Sequence, residues 1–136
     1  MAFKGSFKFT SGAGANKEMD VLNCNVTFKR DVDAKGRPAS DVYGGKITVV
    51  VESTPDSIVL ENMFAQFKPI AGSIIFKKAD EDAKMKELIF ENGYVVEYEE
   101  GLSVSDDSPM AIRFTISSQK VTLGGAKFEQ NWPEAN

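Results

Sequence analysis

Apolar and polar residues alternate along most of the chain, and this period of two predicts β-strands. The clearest strand is the last one, where Ile112 and Phe114 point one way while Arg113, Thr115 and Ser117 point the other. The predicted core faces are Phe3, Gly5, Phe7 and Phe9; Leu22, Cys24, Val26 and Phe28; Ile47, Val49 and Val51; Ile74 and Phe76; Leu88 and Phe90; Tyr94, Val96 and Tyr98; and Met110, Ile112, Phe114 and Ile116. About seven or eight strands, with turn signals between most of them, predict an antiparallel β-barrel or β-sandwich.

One predicted helix interrupts the strands. Thr54 suits the N-cap and Pro55 the first helical position, while Asp56 complements the positive helix end. Pro69 and Gly72 mark the end of the helix. The apolar stripe comprises Leu60, Met63, Phe64 and Phe67. Because these side chains share one face, we predict that the helix plugs or flanks the barrel.

A long polar segment, Asp31–Gly45, separates two of the predicted strands. It is rich in glycine and proline and shows no core-facing period. Long loops in small domains are usually either functional or disordered. This segment is therefore the first candidate for a functional site.

Composition favours a single soluble domain over residues 1–136. Of the 136 residues, 42% are hydrophobic and 26% are charged, which supports a core without disulfides or metal. The net charge of −4 does not indicate the basic face of a nucleic-acid binder. No apolar run approaches the roughly 18 residues of a membrane helix, and residues 1–9 do not resemble a cleavable signal peptide. We expect synthesis in the cytoplasm, no membrane insertion, and any secretion to proceed without a signal peptide.

The chain contains no histidine, the commonest general base and metal ligand. Asp31, Asp33 and Gly36 resemble the start of a calcium-binding loop, but Val42 stands where a bidentate glutamate is needed. Gly44–Lys46 hints at a phosphate-binding loop but lacks the strand–loop–helix context. We predict neither a cofactor nor a bound metal.

Acidic clusters and a lone cysteine are the remaining candidates for chemistry. The clusters at Asp80–Asp82, Glu97–Glu100 and Asp106–Asp107 contain the carboxylates of a glycosidase pair, but each sits beside turn residues and is interpreted as a solvated loop. Cys24 is the only cysteine, so no intrachain disulfide forms. Its apolar neighbours favour a small core residue over a nucleophile. We predict that the chain is not an enzyme.

Several long runs of residues resemble the Hcp (TssD) family of type VI secretion tube proteins, in its more divergent branch. The runs are Asn23–Phe28, Arg30–Asp31, Asp33, Gly36–Pro38, Ser40 and Val42–Gly45; Phe76–Leu88; Phe90–Val96; and Phe114–Ser117 through Trp132–Pro133. They span nearly the whole chain and are far more specific than a short motif.

The resemblance implies an antiparallel β-barrel of two packed sheets with one α-helix. It also implies a structural role, in which homo-hexameric rings stack into a tube that a contractile sheath drives into target cells. The implied partners are further copies of the chain, the spike protein, sheath and baseplate of the machine, and effector proteins in the ring lumen. Assembly is expected in the cytoplasm, followed by secretion through the machine itself.

By the same resemblance, the segment Asp31–Gly45 is expected to make the contact between rings. The candidate residues are Asp31, Asp33, Lys35, Arg37, Asp41 and Tyr43. Charges of both signs would set the register between rings, and Tyr43 offers an aromatic anchor with a polar tip. The alternative is a mobile surface loop.

Three other functions stay open at this point. A barrel that binds a small ligand would need an apolar cavity, whereas this chain has enough phenylalanine, isoleucine and valine to fill a small barrel. A hydrolase would use the acidic clusters. The third is the tube subunit of a related phage-tail-like contractile injection particle, which the sequence does not separate from the type VI assignment.

Overall fold

The structure, a computed structural model, describes residues 3–11, 16–53, 58–65, 69–78, 84–101 and 110–130. Within these residues the chain forms seven strands and one helix. The elements are β1 (Phe3–Ser11), β2 (Asn16–Lys29), β3 (Tyr43–Glu52), α1 (Ile58–Phe64), β4 (Ile70–Lys78), β5 (Lys84–Gly101), β6 (Ala111–Leu123) and β7 (Ala126–Glu129). The predicted composition of many strands and one helix is confirmed.

The strands form a closed antiparallel barrel. Neighbouring strands follow the order β3-β2-β1-β4-β5-β6, and β3 pairs with β6 to close the ring. β7 pairs with β6 at Lys120–Leu123, beyond the part of β6 that pairs with β3. Closure satisfies the backbone hydrogen bonds along both sides of each barrel strand, so the sheet keeps few free edges.

Aromatic rings fill the interior of the barrel. Phe7 lies at the centre, with ring centroids 5.3 Å from Phe9, 6.0 Å from Phe90 and 5.5 Å from Phe114. These four side chains are at most 2% exposed. The predicted core faces of β1, β3 and β6 are confirmed at the buried residues Phe7, Phe9, Ile47, Val49, Val51, Ile112, Phe114 and Ile116. A ligand-binding barrel would need the space that these rings occupy.

Two predicted core residues, Leu22 and Val96, lie on the surface instead, with 49% and 44% of their side chains exposed. A β-bulge lies between Val21 and Asn23 in β2, and another lies next to Val96 in β5. Each bulge inserts one residue, so the inward-facing positions shift by one along the strand. Val95 is therefore buried in place of Val96.

Three residues at strand ends or on the outward face also differ from the predicted alternation. Met110 is 44% exposed because it precedes β6, and Phe28 is 39% exposed near the end of β2. Thr115, predicted to face solvent, is buried, and its hydroxyl lies 3.2 Å from the Thr48 hydroxyl across the β3–β6 pair. The shared hydrogen bond satisfies both hydroxyl groups and allows a polar residue to be buried there.

The helix packs one narrow face on the barrel. Val59 is buried and Met63 packs against the core, because residues four apart lie on the same face of a helix. Phe64 follows Met63 and is 73% exposed, so its predicted place in the apolar stripe is wrong. Several predictions fall outside the described residues: the turn at 12–15, the start of the helix at Thr54, Pro55 and Asp56, and its last apolar residue, Phe67.

Candidate functional site

The predicted polar loop connects β2 to β3, and the structure places its boundaries differently. β2 ends at Lys29 and β3 begins at Tyr43. Tyr43, Gly44 and Gly45 therefore belong to a strand, and the connection itself spans residues 30–42. Its side chains are mostly exposed at one end of the barrel.

A small hairpin forms inside this connection. Val32 and Pro38 pair as an isolated antiparallel bridge. Three backbone hydrogen bonds of 2.8, 3.0 and 2.8 Å hold it, in which Asp33 N donates to Arg37 O, Gly36 N to Asp33 O, and Ala39 N to Asp31 O. Gly36 has a φ of 84°, which suits glycine and allows the tight reversal. The loop therefore has a defined conformation and is not an unstructured link.

The Asp33 carboxylate organises the tip of the hairpin. Its Oδ1 accepts hydrogen bonds from the backbone N–H groups of Lys35 and Arg37, and its Oδ2 accepts one from Arg37 Nε, all at 2.9 Å. The Arg37 backbone N–H, as the largest cause, holds the pKa of Asp33 below its usual value. Because these bonds engage both oxygens of Asp33, the acidic spacing that resembles a calcium loop belongs here to a turn. The described residues contain no group of three or more acidic or cysteine side chains that could hold a metal ion.

Tyr43 and Ser40 tie the hairpin to the start of β3. The Tyr43 hydroxyl donates to Asp31 Oδ1 at 2.8 Å, and this bond is the main reason that the pKa of Tyr43 is raised. The Asp31 backbone N–H donates to Ser40 Oγ at 2.9 Å. Ser40 Oγ in turn donates to the Asp41 carbonyl at 3.0 Å. Side chains near both ends of the loop thus fix its path.

The base of the loop is held by residues near the end of the described chain. Gln130 Nε2 donates to the carbonyls of Gly44 at 2.8 Å and Ser118 at 2.9 Å. Gly45 has a φ of 65°, and a Cβ there would lie 2.9 Å from the Phe128 ring. The sequence Gly44-Gly45 indicates that another part of the chain packs closely against the backbone there. The sequence pattern does not identify Phe128 and Gln130 as the packing partners.

The structure brings together only some of the predicted site residues. Four of them form two hydrogen-bonded pairs, Asp33 with Arg37 and Asp31 with Tyr43. Lys35 and Asp41 are exposed, and neither side chain makes an ion pair with the described residues. The two pairs shape the loop.

A family model and solved structures both relate this chain to Hcp proteins over most of its length. The family model for the hemolysin coregulated protein Hcp (TssD) matches residues 1–133. The chain belongs to the Hcp family. The structure of Hcp1 from Flavobacterium johnsoniae is 34% identical, with a TM-score of 0.79, and the match covers 91% of this chain and 98% of that chain. No curated protein sequence matches the chain.

More distant structures share the Hcp fold. Hcp1 from the E. coli EAEC 042 pathovar is 13% identical with a TM-score of 0.75, and the match covers 96% of this chain and 99% of that chain. A chain of an extracellular contractile injection system, the PVC sheath-tube complex in the extended state, is 10% identical with a TM-score of 0.56 and 88% coverage of both chains. The family and fold expected from the resemblance are confirmed.

Hcp proteins are structural, and two of the predicted candidates for chemistry, the run Glu97–Glu100 and Cys24, lie among the described residues. The acidic run Glu97–Glu100 lies within β5 and not in a turn as predicted, and it pairs with β6. The Glu100 carboxylate accepts hydrogen bonds from Ser53 and Tyr98, each at 3.1 Å. The clusters at 80–82 and 106–107 lie outside the described residues. Among the helices of the described residues, none has the length and apolar character to cross a membrane.

Cys24 packs against the core, and burial raises the pKa of its thiol from 9.0 to about 11. The neutral thiol therefore favours the folded state below pH 9, and this contribution is lost as the pH rises from 9 to 11. At pH 8 we expect iodoacetamide to label the folded protein roughly a hundredfold more slowly than the urea-unfolded protein, since the thiolate is the nucleophile. Equal labelling rates, with a Cys24→Ser variant as the blank, would show a reactive thiol instead.

Proposed function

We propose that this chain is the tube subunit of a type VI secretion system, in which homo-hexameric rings stack into the inner tube. The main support for this proposal is the match to the Hcp family model over residues 1–133, together with an Hcp1 structure that is 34% identical to the chain. The role is structural rather than catalytic. The chain offers a closed barrel, a short helix and an ordered polar loop, which are surfaces for contacts between copies.

Exposed apolar side chains support the assembly of rings. Phe64 on α1 is 73% exposed, while Leu22 and Val96 lie outward because of the bulges. Single exposed apolar residues are common on monomeric proteins, so these three are candidate subunit contacts only where they form one contiguous patch. A closed ring needs a heterologous interface, in which one surface of a subunit meets a different surface of its neighbour.

Ring formation gives the first test. The purified protein is expected to have a mass of about 89 kDa by light scattering at micromolar concentration, six times the 14.9 kDa of one chain. A stable species of 14.9 kDa under the same conditions would argue against a ring subunit.

The loop of residues 30–42 is proposed to make the contact between rings. It extends from one end of the barrel, its own hydrogen bonds hold its shape, and its charges of both signs suit a specific but separable contact. The proposed partners of the tube are the spike protein, sheath and baseplate, with effector proteins in the lumen. Assembly would take place in the cytoplasm, followed by delivery out of the cell.

A second candidate is the tube subunit of a related contractile injection particle. The PVC sheath-tube complex contains a chain with the same fold at a TM-score of 0.56, although 10% identity speaks for the fold alone. Genes beside the one for this chain would distinguish the two candidates. Secretion that depends on such a cluster would favour the type VI assignment.

A further inference from the structure

Two contacts from the end of the described chain reach both ends of the loop of residues 30–42. On the β2 side, the Phe128 ring packs edge-on against Phe28, with ring centroids 4.9 Å apart. On the β3 side, Gln130 Nε2 donates to the Gly44 carbonyl at 2.8 Å. Phe28 stands just before the loop and Gly44 just after it. β7 and Gln130 therefore hold the loop at both of its ends.

Hydrogen bonds between side-chain amides dock Gln130 on β6. Gln119 Nε2 on β6 donates to the Gln130 carbonyl at 3.1 Å, and the Gln130 backbone N–H donates to the Gln119 carbonyl at 2.8 Å. Gln130 Nε2 also donates to the Ser118 carbonyl at 2.9 Å. Asn92 Nδ2 on β5 donates to Gln119 Oε1 at 2.8 Å and so fixes the orientation of that amide. Gln130 therefore reaches Gly44 only while the end of β7 lies on β6.

β3 has room for the docked strand because of a glycine. Gly45 has a φ of 65°, and a Cβ there would lie 2.9 Å from the Phe128 ring and 3.1 Å from the Ser118 carbonyl oxygen. These distances are shorter than ordinary van der Waals contacts, so a side chain at this position would hold Phe128 away from β3. Gly45 thus allows β7 to pack beside the base of the loop.

β7 itself is only loosely built into the fold. It has four residues, three of them with exposed side chains, and among the described strands it pairs with β6 alone. The ion pair between Lys120 and Glu129 across these strands is exposed and 4.0 Å long, so it contributes little. The barrel closes where residues 46–52 of β3 pair with residues 111–117 of β6, and β7 takes no part in that closure. β7 can therefore leave β6 without opening the barrel.

We propose that β7 with Gln130 is a detachable clamp on the loop of residues 30–42. Docked on β6, the clamp fixes the direction in which the loop leaves the barrel. Released, it frees both ends of the loop while the barrel stays closed. The hairpin inside the loop keeps its own hydrogen bonds in both states, so the loop turns as a unit. This inference concerns the control of the loop and does not depend on what the loop contacts.

A reversible disulfide tests the clamp. Lys120 and Glu129 face each other across β6 and β7, so Lys120→Cys with Glu129→Cys, in a Cys24→Ser background, locks β7 when oxidised and releases it in dithiothreitol. Hydrogen exchange followed by mass spectrometry compares the two forms of this variant at one protein concentration. Oxidation is expected to slow exchange roughly tenfold at residues 27–29 and 43–46, because these amides open only after β7 has left β6. Equal rates in the two forms would overturn the proposal.

The matched control is a disulfide that does not involve β7. Lys8 and Glu18 also face each other on neighbouring antiparallel strands and form an exposed ion pair of 4.0 Å. Lys8→Cys with Glu18→Cys joins β1 to β2 when oxidised and should leave exchange at both ends of the loop unchanged. An equal slowing in this control would mean that any cross-strand disulfide stiffens the barrel, which would overturn the clamp.

Gln130→Ala approaches the same question from the released state. Loss of its two side-chain hydrogen bonds is expected to speed exchange at residues 43–46 roughly tenfold, while residues 47–51 in the core of β3 keep the wild-type rate. Wild-type exchange at residues 43–46 would contradict a clamp. Equal acceleration at residues 47–51 would contradict it as well, because Gln130 would then support the whole barrel and not the loop.

Discussion

A variant in which Lys35–Asp41 is replaced by a brief Gly-Ser link is expected to fold and form rings but to build no tubes and support no secretion. The reason lies in the separation of the loop from the barrel. The strand pairs stop at Lys29 and Tyr43, and the hydrogen bonds of the hairpin are exposed and local. Shortening a surface loop changes the entropy of chain closure only slightly. The variant therefore removes the contact surface while leaving the core in place.

Electron microscopy of the purified variant and a secretion assay measure this result. Lys127→Ala, a change at an exposed site on β7, serves as the control with an intact loop. Normal tubes from the shortened variant would contradict the stacking role. Loss of rings as well as tubes would assign the loop to the lateral interface.

The second large effect concerns the barrel core. Phe114→Ala is expected to lower the free energy of unfolding by about 3–5 kcal/mol, because the lost ring leaves a cavity that the core refills only in part. The Phe114 side chain is 1% exposed, and its ring packs edge-on against Phe7 at 5.5 Å. Neighbouring strands fix both backbones, so the cavity has little room to collapse.

Urea unfolding at a fixed protein concentration measures the loss, since ring formation makes apparent stability depend on concentration. Arg113→Ala is the matched control, because Arg113 is the exposed neighbour on the same strand and its removal is expected to change stability by less than about 0.5 kcal/mol. A free energy of unfolding of Phe114→Ala within about 0.5 kcal/mol of wild type would contradict a core role for this ring.

Alternation of residues predicts most of this barrel but not its irregularities. Ile47, Val49 and Val51 are buried as expected, because the stretch of β3 that carries them has no inserted residue and keeps a strict period of two. Leu22 and Val96 are exposed because a bulge shifts the period, and its position depends on pairing with a neighbouring strand that the local sequence does not reveal. The exposure of Phe64 also depends on tertiary packing that the local sequence does not reveal. A helix of seven residues buries only the face that meets the barrel.

The candidate site could be predicted in part. The residue types between Asp31 and Tyr43 indicate a polar, turning loop, and this prediction is confirmed by the hairpin around Asp33. The anchoring by Gln130 joins residues 86 positions apart, so no local pattern indicates it. That the loop stacks rings stays a prediction.

Negative-stain electron microscopy of the purified protein tests the central claim most directly. The proposed tube subunit should give ring-shaped particles with sixfold symmetry and a central lumen, with stacks at high protein concentration. Because each ring would join at least six copies, such particles are readily distinguished from single chains of 14.9 kDa. A field of small compact particles without a lumen, at micromolar concentration and low salt, would contradict the assignment of this chain as a tube subunit.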